Sequence, residues 1–442
     1  MDMGGSTTEA YGLPDERKPS RFQIIALALC GLCVVMDGFD VQVIGYVAPT
    51  IIRDWGMAKA DIGVVFSAGL LGLVMGSFGL SMLADRIGRR PLLIATMSLL
   101  GVFSILTGLA NSLPELMLFR LLSGLTLGSI LPNAMALAGE YSPPRHRISA
   151  MMMVSVGFTV GAVLAGFLCA LLMPKFGWRS VFFVGGIIPL VSVVPMVRHL
   201  PESIQFLLAR NRLAAADKWL ERTGQPTPDH DATAAQQPFE AKRTIPIASL
   251  FSDGRGFTTL RLWIATGLNL VAVAFLSNWV PTLVLDLHAT QSTAILAGTV
   301  LQTGGALGAL VMGRLIDRRG FRAILGPAFV LSAICLASFG IHGARLSILL
   351  MAIFVVGFCI VGGQSGLNAM AAAYYPPYAR ATGIGWCVGV GRLASVFAPL
   401  LTAMAIRDGL TSGTIFMLGG VVPLLCAVIM ASLRISSSSI SY

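Results

Sequence analysis

Apolar runs long enough to cross a lipid bilayer recur along the whole chain, and they constrain the fold more than any other feature. A membrane-spanning helix needs about 20 consecutive apolar residues, and about twelve such runs are found by hydropathy. Only 12% of the 442 residues are charged, whereas a soluble domain carries about 25%. The sequence therefore predicts an all-α membrane protein with twelve transmembrane helices.

One long polar segment divides these runs into two groups of six. The spans are predicted at residues 22–51, 60–83, 91–111, 114–140, 148–173, 179–199, 260–286, 292–316, 322–341, 346–373, 380–405 and 412–433. The resulting divisions are a tail (1–21), a six-helix bundle (22–199), a linker (200–258), a second six-helix bundle (259–434) and a short tail (435–442). The linker stretch "FLLARNRLAAADKWLER" has the pattern of an amphipathic helix.

Lysine and arginine cluster in alternate loops, including "DRIGRR" at 85–90, "RHR" at 145–147 and "DRRGFR" at 317–322. The positive-inside rule places such loops in the cytoplasm, so both termini are expected there, in a multi-pass protein of a bacterial inner membrane. The same rule accounts for the net charge of +10, and we expect no nucleic-acid partner.

The chain contains an internal repeat. "LADRIGRR" at 83–90 matches "LIDRRGFR" at 315–322, and "YSPPRHRISA" at 141–150 matches "YYPPYARATG" at 374–383. The two offsets, about 232 and about 233 residues, agree within one position. Duplicated six-helix units with parallel topology are typical of secondary transporters.

These motifs also carry a family resemblance. "MLADRIGRR", its echo "RLIDRRG" and the "PES" at 201–203 resemble signatures of the major facilitator superfamily. "DGFD" at 37–40 and "YYPPYARATGIGWCVGVGRLASVFAPLL" near the eleventh run resemble the aromatic acid/proton symporter family. The resemblance implies a twelve-helix transporter that imports a proton together with an aromatic carboxylate of the benzoate or hydroxybenzoate class.

Asp37 and Asp40 lie inside the first apolar run, where an ionised carboxylate costs roughly 2.5–3.5 kcal/mol on the insertion scale. They share one helix face, and Arg120 in the fourth run is expected at a similar depth. We interpret the three as a proton-coupling site, with Asp40 as the preferred proton carrier and Asp37 as its partner or as an organiser of the binding site. The reverse order and a permanent structural ion pair remain alternatives.

Arg392 lies in the middle of the eleventh run, and the second half has no acid except at the ends of its runs. The substrate's carboxylate is therefore its expected partner, since a guanidinium binds a carboxylate in a bidentate fork. Pairing with backbone carbonyls is the alternative.

An aromatic substrate also needs flat apolar walls and a few directional polar groups. The ring-stacking candidates are Phe39, Tyr46, Trp279 and Trp386, and the polar candidates are Gln302, Gln364 and Asn368. Ordinary helix packing and helix–helix hydrogen bonds are the alternative roles for these residues.

A third group of charged residues occupies the ends of the runs on the predicted cytoplasmic side. We interpret it as a conformational gate, in which charge pairs stabilise one state and separate when the inner side opens. Its members are Asp85, Arg86, Arg89, Arg90, Glu140, Arg147 and Glu202, with Asp317, Arg318 and Arg380 as the repeat copy.

The sequence lacks the nucleotide-binding G-x-x-x-x-G-K-[S/T] and metalloprotease H-E-x-x-H motifs. We therefore expect a protein that is not an enzyme, has no cofactor or metal, and is monomeric in the lipid bilayer. A proton-coupled antiporter that exports aromatic or drug-like compounds, or a symporter for a non-aromatic organic acid, is the alternative function.

Overall fold

The protein is described here from a computed structural model that covers residues 20–142, 147–210, 212–222, 250–252, 255–287, 289–339, 346–375 and 380–433. Within these residues, twelve helices are long and apolar enough to cross a membrane. The predicted all-α fold with twelve spanning helices is confirmed. Most of the predicted tails and residues 223–249 of the predicted linker lie outside the described residues.

The helices of the first half are α1 (Arg21–Trp55), α2 (Ile62–Ile87), α3 (Arg89–Leu109), α4 (Leu113–Glu140), α5 (Arg147–Phe176) and α6 (Arg179–His199). Two short linker helices follow, α7 (Ile204–Ala209) and α8 (Leu213–Arg222). The second half contains α9 (Gly256–Leu285), α10 (Gln291–Arg319), α11 (Phe321–Ser338), α12 (Leu346–Tyr374), α13 (Arg380–Ser395 and Phe397–Arg407) and α14 (Ser412–Ser432).

The linker stretch predicted as one amphipathic helix forms two short helices, α7 and α8. The ring of Trp219 in α8 stacks on Phe22 at the start of α1, with the centroids 5.9 Å apart. Arg90 at the start of α3 lies over the same indole, 6.0 Å from its centroid. The linker is thereby held against the first bundle.

Glycines allow the helices within each half to pack closely. A Cβ added at Gly76 of α2 would collide with the carbonyl oxygen of Leu125 on α4, and one added at Gly308 of α10 would collide with that of Phe358 on α12. Gly76 and Gly308 are separated by the repeat offset of about 232 residues, so both copies keep the same helix contact.

The duplicated basic loops share a backbone conformation as well as a sequence. Gly88 between α2 and α3 has φ 103° and ψ 157°, and Gly320 between α10 and α11 has φ 80° and ψ 161°. Residues with a Cβ rarely adopt positive φ, so glycine suits both tight turns. The structure therefore supports the internal repeat inferred from the sequence.

Large apolar side chains cover much of the outside of the molecule. Met153 is 76% exposed, Phe167 is 67% exposed and Val191 is 64% exposed. A soluble protein rarely leaves such a surface in water, whereas a lipid bilayer covers it. Together with the twelve spans, this surface is that of a multi-pass membrane protein.

The two ends of the molecule differ. We call the end that carries the duplicated basic loops the basic end, and the opposite end, where α1 stops at Trp55 and α9 at Leu285, the far end. The two bundles are joined in the half nearer the far end, where Ser67 of α2 donates to the carbonyl of Val396 at 2.9 Å. Gln291 of α10 donates to Thr50 of α1 at 2.7 Å in the same half.

Candidate functional site

The two carboxylates of α1 have different surroundings. Oδ2 of Asp40 lies 2.8 Å from Nη1 of Arg120, and both side chains are 3% exposed. This contact is an ion pair without hydrogen-bond alignment. Arg120 also donates from Nη2 to the backbone carbonyl of Asp40 at 3.0 Å, and its guanidinium lies over the ring of Phe182 on α6. Asp40 and Arg120 thus form a buried pair inside the first bundle.

Asp37 lies one turn nearer the basic end and is also buried. Its Oδ1 has no hydrogen-bond partner, and no ion pair involving its side chain is found among the described residues. Its electrostatic neighbours are Asp40 on its own helix and Arg392 on α13 of the other bundle. Asp37 therefore faces the interface between the bundles.

Arg392 is the complementary charge on the second bundle. Its side chain is half-buried, and within the described part of the chain its guanidinium has neither a hydrogen-bond nor an ion-pair partner. Asp37 is its electrostatic neighbour. Its five N–H donors are therefore available to a ligand. The alternative pairing with backbone carbonyls is not found among the described residues.

The four predicted stacking residues lie in four different places. Phe39 points into the first bundle, where its ring packs against Gly185 of α6. Tyr46 is 1% exposed, lies against Gly298 of α10 and donates to the carbonyl of Ala162 at 3.3 Å. Neither ring is free to stack on a ligand in this conformation, because both are enclosed by helices.

The two tryptophans are also engaged by protein neighbours. Trp279 is fully buried and meets Phe66 of α2 edge to face, with the centroids 5.4 Å apart. Trp386 is half-buried and stacks on Trp263 of α9 at 5.9 Å. Trp279 thus closes the bundle interface near the far end, and Trp386 lies toward the basic end of α13.

Two of the predicted amides belong to a chain of three. Gln364 donates to Oδ1 of Asn368 at 3.0 Å, and its own carbonyl accepts from Asn269 of α9 at 2.9 Å. Gln364 and Asn368 are half-buried, while Asn269 is 1% exposed. Gln364 and Asn368 lie one turn apart on the same face of their helix, and the structure adds Asn269.

The third predicted amide joins the two bundles. Gln302 of α10 donates to Oε1 of Gln42 on α1 at 2.6 Å and to the hydroxyl of Ser277 on α9 at 3.2 Å. Gln42 in turn donates to the backbone carbonyl of Ser277 at 2.9 Å. This cluster holds α1 against the second bundle just beyond Asp40.

The predicted gate of the first half is organised around two glutamates. Glu140 pairs with Arg89 and accepts from the hydroxyl of Ser203 at 3.0 Å. Glu202 accepts from the backbone N–H groups of Arg89 at 2.9 Å and Arg90 at 3.1 Å, which caps the start of α3. These contacts tie α3, α4 and the linker together within one bundle.

The rest of the predicted gate is arranged differently. The backbone carbonyl of Arg86 accepts from Arg210 of the linker at 2.9 Å. Asp317 and Arg318, the repeat copy, are exposed, and neither forms an ion pair with any residue in the described ranges. Among the gate residues whose side chains the structure describes, paired charges are therefore found in the first copy and not in the second. The side chains of Asp85, Arg147 and Arg380 lie outside the described part of the structure.

The far end has a charge pair of its own. Lys59, before α2, pairs with Asp286, which follows α9 of the other bundle. Asp286 also accepts from the hydroxyl of Ser412 at the start of α14, at 2.7 Å. This pair closes the interface at the end opposite the predicted gate.

Sequence reasoning missed four polar residues that the structure brings to the interface or the amide chain: Gln42, Lys59, Asn269 and Asp286. A usable signal existed for two of them. Gln42 and Asn269 are amides inside apolar runs, the criterion that selected Gln302 and Gln364. Nothing in the sequence indicated that Lys59 and Asp286 would meet, because their loops belong to different bundles.

Comparison with known proteins agrees with this architecture. The family model of the Major Facilitator Superfamily matches residues 30–243 and 262–439, which overlap all twelve spans. The chain belongs to the major facilitator superfamily. As members of this superfamily are transporters, the charged residues at the bundle interface belong to a transport protein.

Within the superfamily, the chain is similar to transporters of aromatic acids. It is 35% identical over 421 residues to the gallate transporter of Pseudomonas putida, covering 92% of this chain and 90% of that protein. It is 33% identical over 397 residues to the 4-hydroxybenzoate transporter PcaK of the same species, covering 89% and 88%. The 3-(3-hydroxy-phenyl)propionate transporter of Escherichia coli is 35% identical over 405 residues, covering 90% and 91%.

Solved structures of the superfamily share the fold. A partially occluded, inward-open structure of the xylose transporter XylE from E. coli has a TM-score of 0.75 at 15% identity, covering 95% of this chain and 99% of that one. A bacterial homologue of the human lysosomal transporter Spinster has a TM-score of 0.68 at 17% identity, covering 94% and 96%.

Proposed function

We propose that the protein is a proton-coupled importer of an aromatic carboxylate of the benzoate or hydroxybenzoate class. Three relatives at 33–35% identity over about nine-tenths of the chain are named as transporters of hydroxylated aromatic acids. The proposed location is a bacterial inner membrane, with the basic end in the cytoplasm because of its lysine and arginine content.

The observation that carries the proposal is the unpaired guanidinium of Arg392 opposite Asp37. Arg392 is half-buried and has no hydrogen-bond or ion-pair partner among the described residues, and a cation in such a setting attracts an anion. When Asp37 is ionised, it compensates the charge of Arg392 from across the interface. When Asp37 is protonated, that compensation is lost, and a substrate carboxylate replaces it on the same guanidinium.

This exchange couples the proton to the substrate. Two states balance the positive charge of Arg392. In one, Asp37 is ionised and no substrate is bound; in the other, Asp37 is protonated and the substrate anion is bound. Binding substrate without a proton would place two anions beside one cation, and binding a proton without substrate would leave the cation uncompensated. Both mixed states are costly in a medium of low dielectric constant, so proton and substrate travel together.

The geometry supports Asp37 as the proton carrier, the reverse of the order preferred from the sequence. Asp40 already has a cation at 2.8 Å within its own bundle, so neutralising Asp40 would leave Arg120 buried and unpaired. Asp37 has no such partner and lies at the moving interface. In the proposal, the Asp40–Arg120 pair fixes α1 against α4 and thereby orients Asp37 toward the interface between the bundles.

Alternating access follows from the two ends of the interface. Lys59–Asp286, Thr50–Gln291 and Ser67–Val396 join the bundles toward the far end. The paired charges of the basic end stay within the first bundle and the linker. Rocking of the bundles about the midplane would open the far-end contacts and bring the basic ends together.

Uptake into proteoliposomes tests the proposal. Labelled benzoate, 3- and 4-hydroxybenzoate, 3,4-dihydroxybenzoate, gallate and 3-hydroxyphenylpropionate would be offered with and without an inward proton gradient. We expect accumulation of at least one acid that depends on the gradient and is abolished by a protonophore. Gradient-driven export of hydrophobic cations without accumulation of any acid would overturn the proposal and establish antiport.

A further inference from the structure

The three-amide chain Asn269–Gln364–Asn368 ends on an unused donor. Both N–H bonds of Asn269 are used, one to the backbone carbonyl of Ile360 at 3.1 Å and one to Oε1 of Gln364 at 2.9 Å. Gln364 then donates to Oδ1 of Asn368 at 3.0 Å. The Nδ2 of Asn368 has no partner within the described residues.

The direction of this chain is set by a group that cannot be reversed. A backbone carbonyl only accepts, so Asn269 must turn its nitrogen toward Ile360. Gln364 must then present its oxygen to Asn269 and its nitrogen to Asn368. Asn368 must in turn accept with its oxygen, which leaves its NH2 group facing outward. The orientation of the Asn368 amide is therefore fixed by Asn269, two hydrogen bonds away along the chain.

A distortion of α12 helps to supply that anchor. Residues Gly357–Val361 form a π-helical turn in the middle of the span. Ile360 lies in this widened turn, and its carbonyl oxygen is reached by Asn269 from α9. Single π-turns inside α-helices are frequent at functional sites.

The amide chain lies at the depth of Arg392. Gly391, the residue before it, packs against Leu270 and the Thr266 carbonyl of α9, and Asn269 lies in that same stretch. Asn368 lies one turn nearer the basic end than Gln364, because α12 runs from the far end to the basic end. A benzene ring separates a carboxylate from a para substituent by about the same length as one helical turn, 5.4 Å.

Resting on the function proposed above, we infer that Asn368 is a specificity-determining residue whose NH2 group donates to a hydroxyl oxygen on the ring of the substrate. Arg392 binds the carboxylate, and Asn368 of the same bundle contacts the hydroxyl group on the opposite side of the ring. The subsite selects an acceptor atom, so a phenolic oxygen fits it and an aromatic amine, whose nitrogen is a weak acceptor and whose N–H groups donate, does not.

The inference is tested by competition against uptake of whichever labelled acid the proteoliposome assay identifies as a substrate. The competing probes are 3- and 4-hydroxybenzoate and 3- and 4-aminobenzoate. The wild type is expected to bind the hydroxyl member of one isomer pair about five- to tenfold more tightly than the amino member, as for one neutral hydrogen bond. In Asn368→Leu this ratio should fall to about one, because no donor or acceptor remains.

The decisive variant is Gln364→Glu, which does not alter Asn368 itself. A carboxylate at 364 only accepts, so Asn368 must turn its NH2 toward it and present its oxygen to the substrate. The preference for the hydroxybenzoate should then fall to about one, because a phenolic O–H and an aromatic N–H can both donate to the oxygen that Asn368 presents. Asn278→Ala is the matched control, because Asn278 is an amide of the same helix as Asn269 that donates to its own helix carbonyl, Ala274, at 2.8 Å. It should keep the wild-type ratio.

The outcomes separate this inference from the proposed function. If the wild type and Gln364→Glu show the same hydroxyl-to-amine ratio while aromatic acids are still transported, the subsite is overturned and the transport function stands. If no aromatic acid competes in the wild type, the proposed function itself fails. Reconstituted protein recovered by size-exclusion chromatography shows that each variant is folded.

Discussion

The two halves of the molecule share a packing frame but hold different polar groups. Gly76 and Gly308 make the same close helix contact in the two copies, and Gly88 and Gly320 make the same turn. The first half adds a closed pair, Asp40–Arg120, whereas the second places Arg392 at the bundle interface with no ion-pair partner among the described residues. Duplication has therefore preserved how helices pack, while the chemistry has diverged.

Under the proposed function, this difference indicates where a proton-coupling charge would lie. A pair enclosed in one bundle keeps its geometry when the bundles rock, so it cannot report the state of the transporter. A charge on each side of the interface, as with Asp37 and Arg392, changes its surroundings in every cycle. The interface between unlike halves is thus the place where proton and substrate can be linked.

The largest effect is expected from breaking the enclosed pair. Asp40→Asn leaves Arg120 buried without its anion, which costs about 3–5 kcal/mol of stability. Asp37→Asn removes a carboxylate that forms no ion-pair contact among the described residues and faces Arg392 only across the interface, so it should cost less stability than Asp40→Asn. Thermal unfolding of both variants in detergent measures the contrast.

The double variant Asp40→Asn/Arg120→Gln is the control for that experiment. Removing both charges should restore part of the stability lost in Asp40→Asn, because no uncompensated ion remains. Equal unfolding temperatures for Asp37→Asn and Asp40→Asn would contradict the distinction between an enclosed and an interfacial carboxylate.

The next effect concerns the unpaired arginine. Arg392→Gln removes the charge that binds the substrate carboxylate, and loss of such a charged contact costs about 2–5 kcal/mol, or roughly 30- to several-thousand-fold in affinity. Arg392→Lys keeps the charge but not the planar fork, so it should retain part of the affinity. Equilibrium binding of the labelled acid to purified protein measures both.

Arg407 provides a control on the same helix. It is the last residue of α13, at the far end, so Arg407→Gln removes the same type of charge away from the interface centre. Its affinity should match the wild type. Wild-type affinity in Arg392→Gln as well would remove the observation on which the proposed function rests.

The frame was predictable from the sequence because its causes are local. Span length, loop charge and the repeat register indicate twelve helices in two bundles, and all are visible in the printed residues. The proximity of Arg120 to the first-helix carboxylates was also predictable, since it follows from depth along two helices. Its preference for Asp40 was not, because that depends on side-chain direction after packing.

The wall of the site was the least predictable part. Phe39 and Tyr46 are aromatic residues on α1, the helix that carries Asp37 and Asp40, yet the positions of α6 and α10 enclose both rings. Composition cannot tell a ring that faces a cavity from one that faces a neighbouring helix. The amide chain was half visible, because Gln364 and Asn368 are one turn apart, whereas Asn269 joins them only through the contact of α9 with α12.

A smaller effect tests the shared frame. Gly308→Ala places a Cβ against the Phe358 carbonyl, and such overpacking costs about 1–3 kcal/mol. Gly313, on the same helix, has nothing within 4 Å of an added Cβ, so Gly313→Ala should stabilise the helix by up to about 1 kcal/mol. Thermal unfolding compares the two.

The first half repeats the experiment with Gly76→Ala and Gly79→Ala. Gly76 meets the Leu125 carbonyl, and Gly79 has no atom within 4 Å of an added Cβ. The same order of stability is expected in both halves. A loss at Gly308 without a loss at Gly76 would show that the two copies do not share their packing.

The smallest effect is expected at the far end, where Lys59 and Asp286 join the bundles with side chains 45% and 30% exposed. A pair this open to solvent contributes at most about 1 kcal/mol. Lys59→Gln should therefore shift the equilibrium toward the far-end-open conformation by no more than about fivefold. The exchange Lys59→Glu/Asp286→Lys restores the attraction with the charges reversed and should return the equilibrium to the wild-type value. Distances between spin labels on α2 and α10 at the far end measure the populations. A shift in the single variant that the double variant fails to reverse would assign the effect to other contacts of Asp286, such as Ser412, and not to the charge pair.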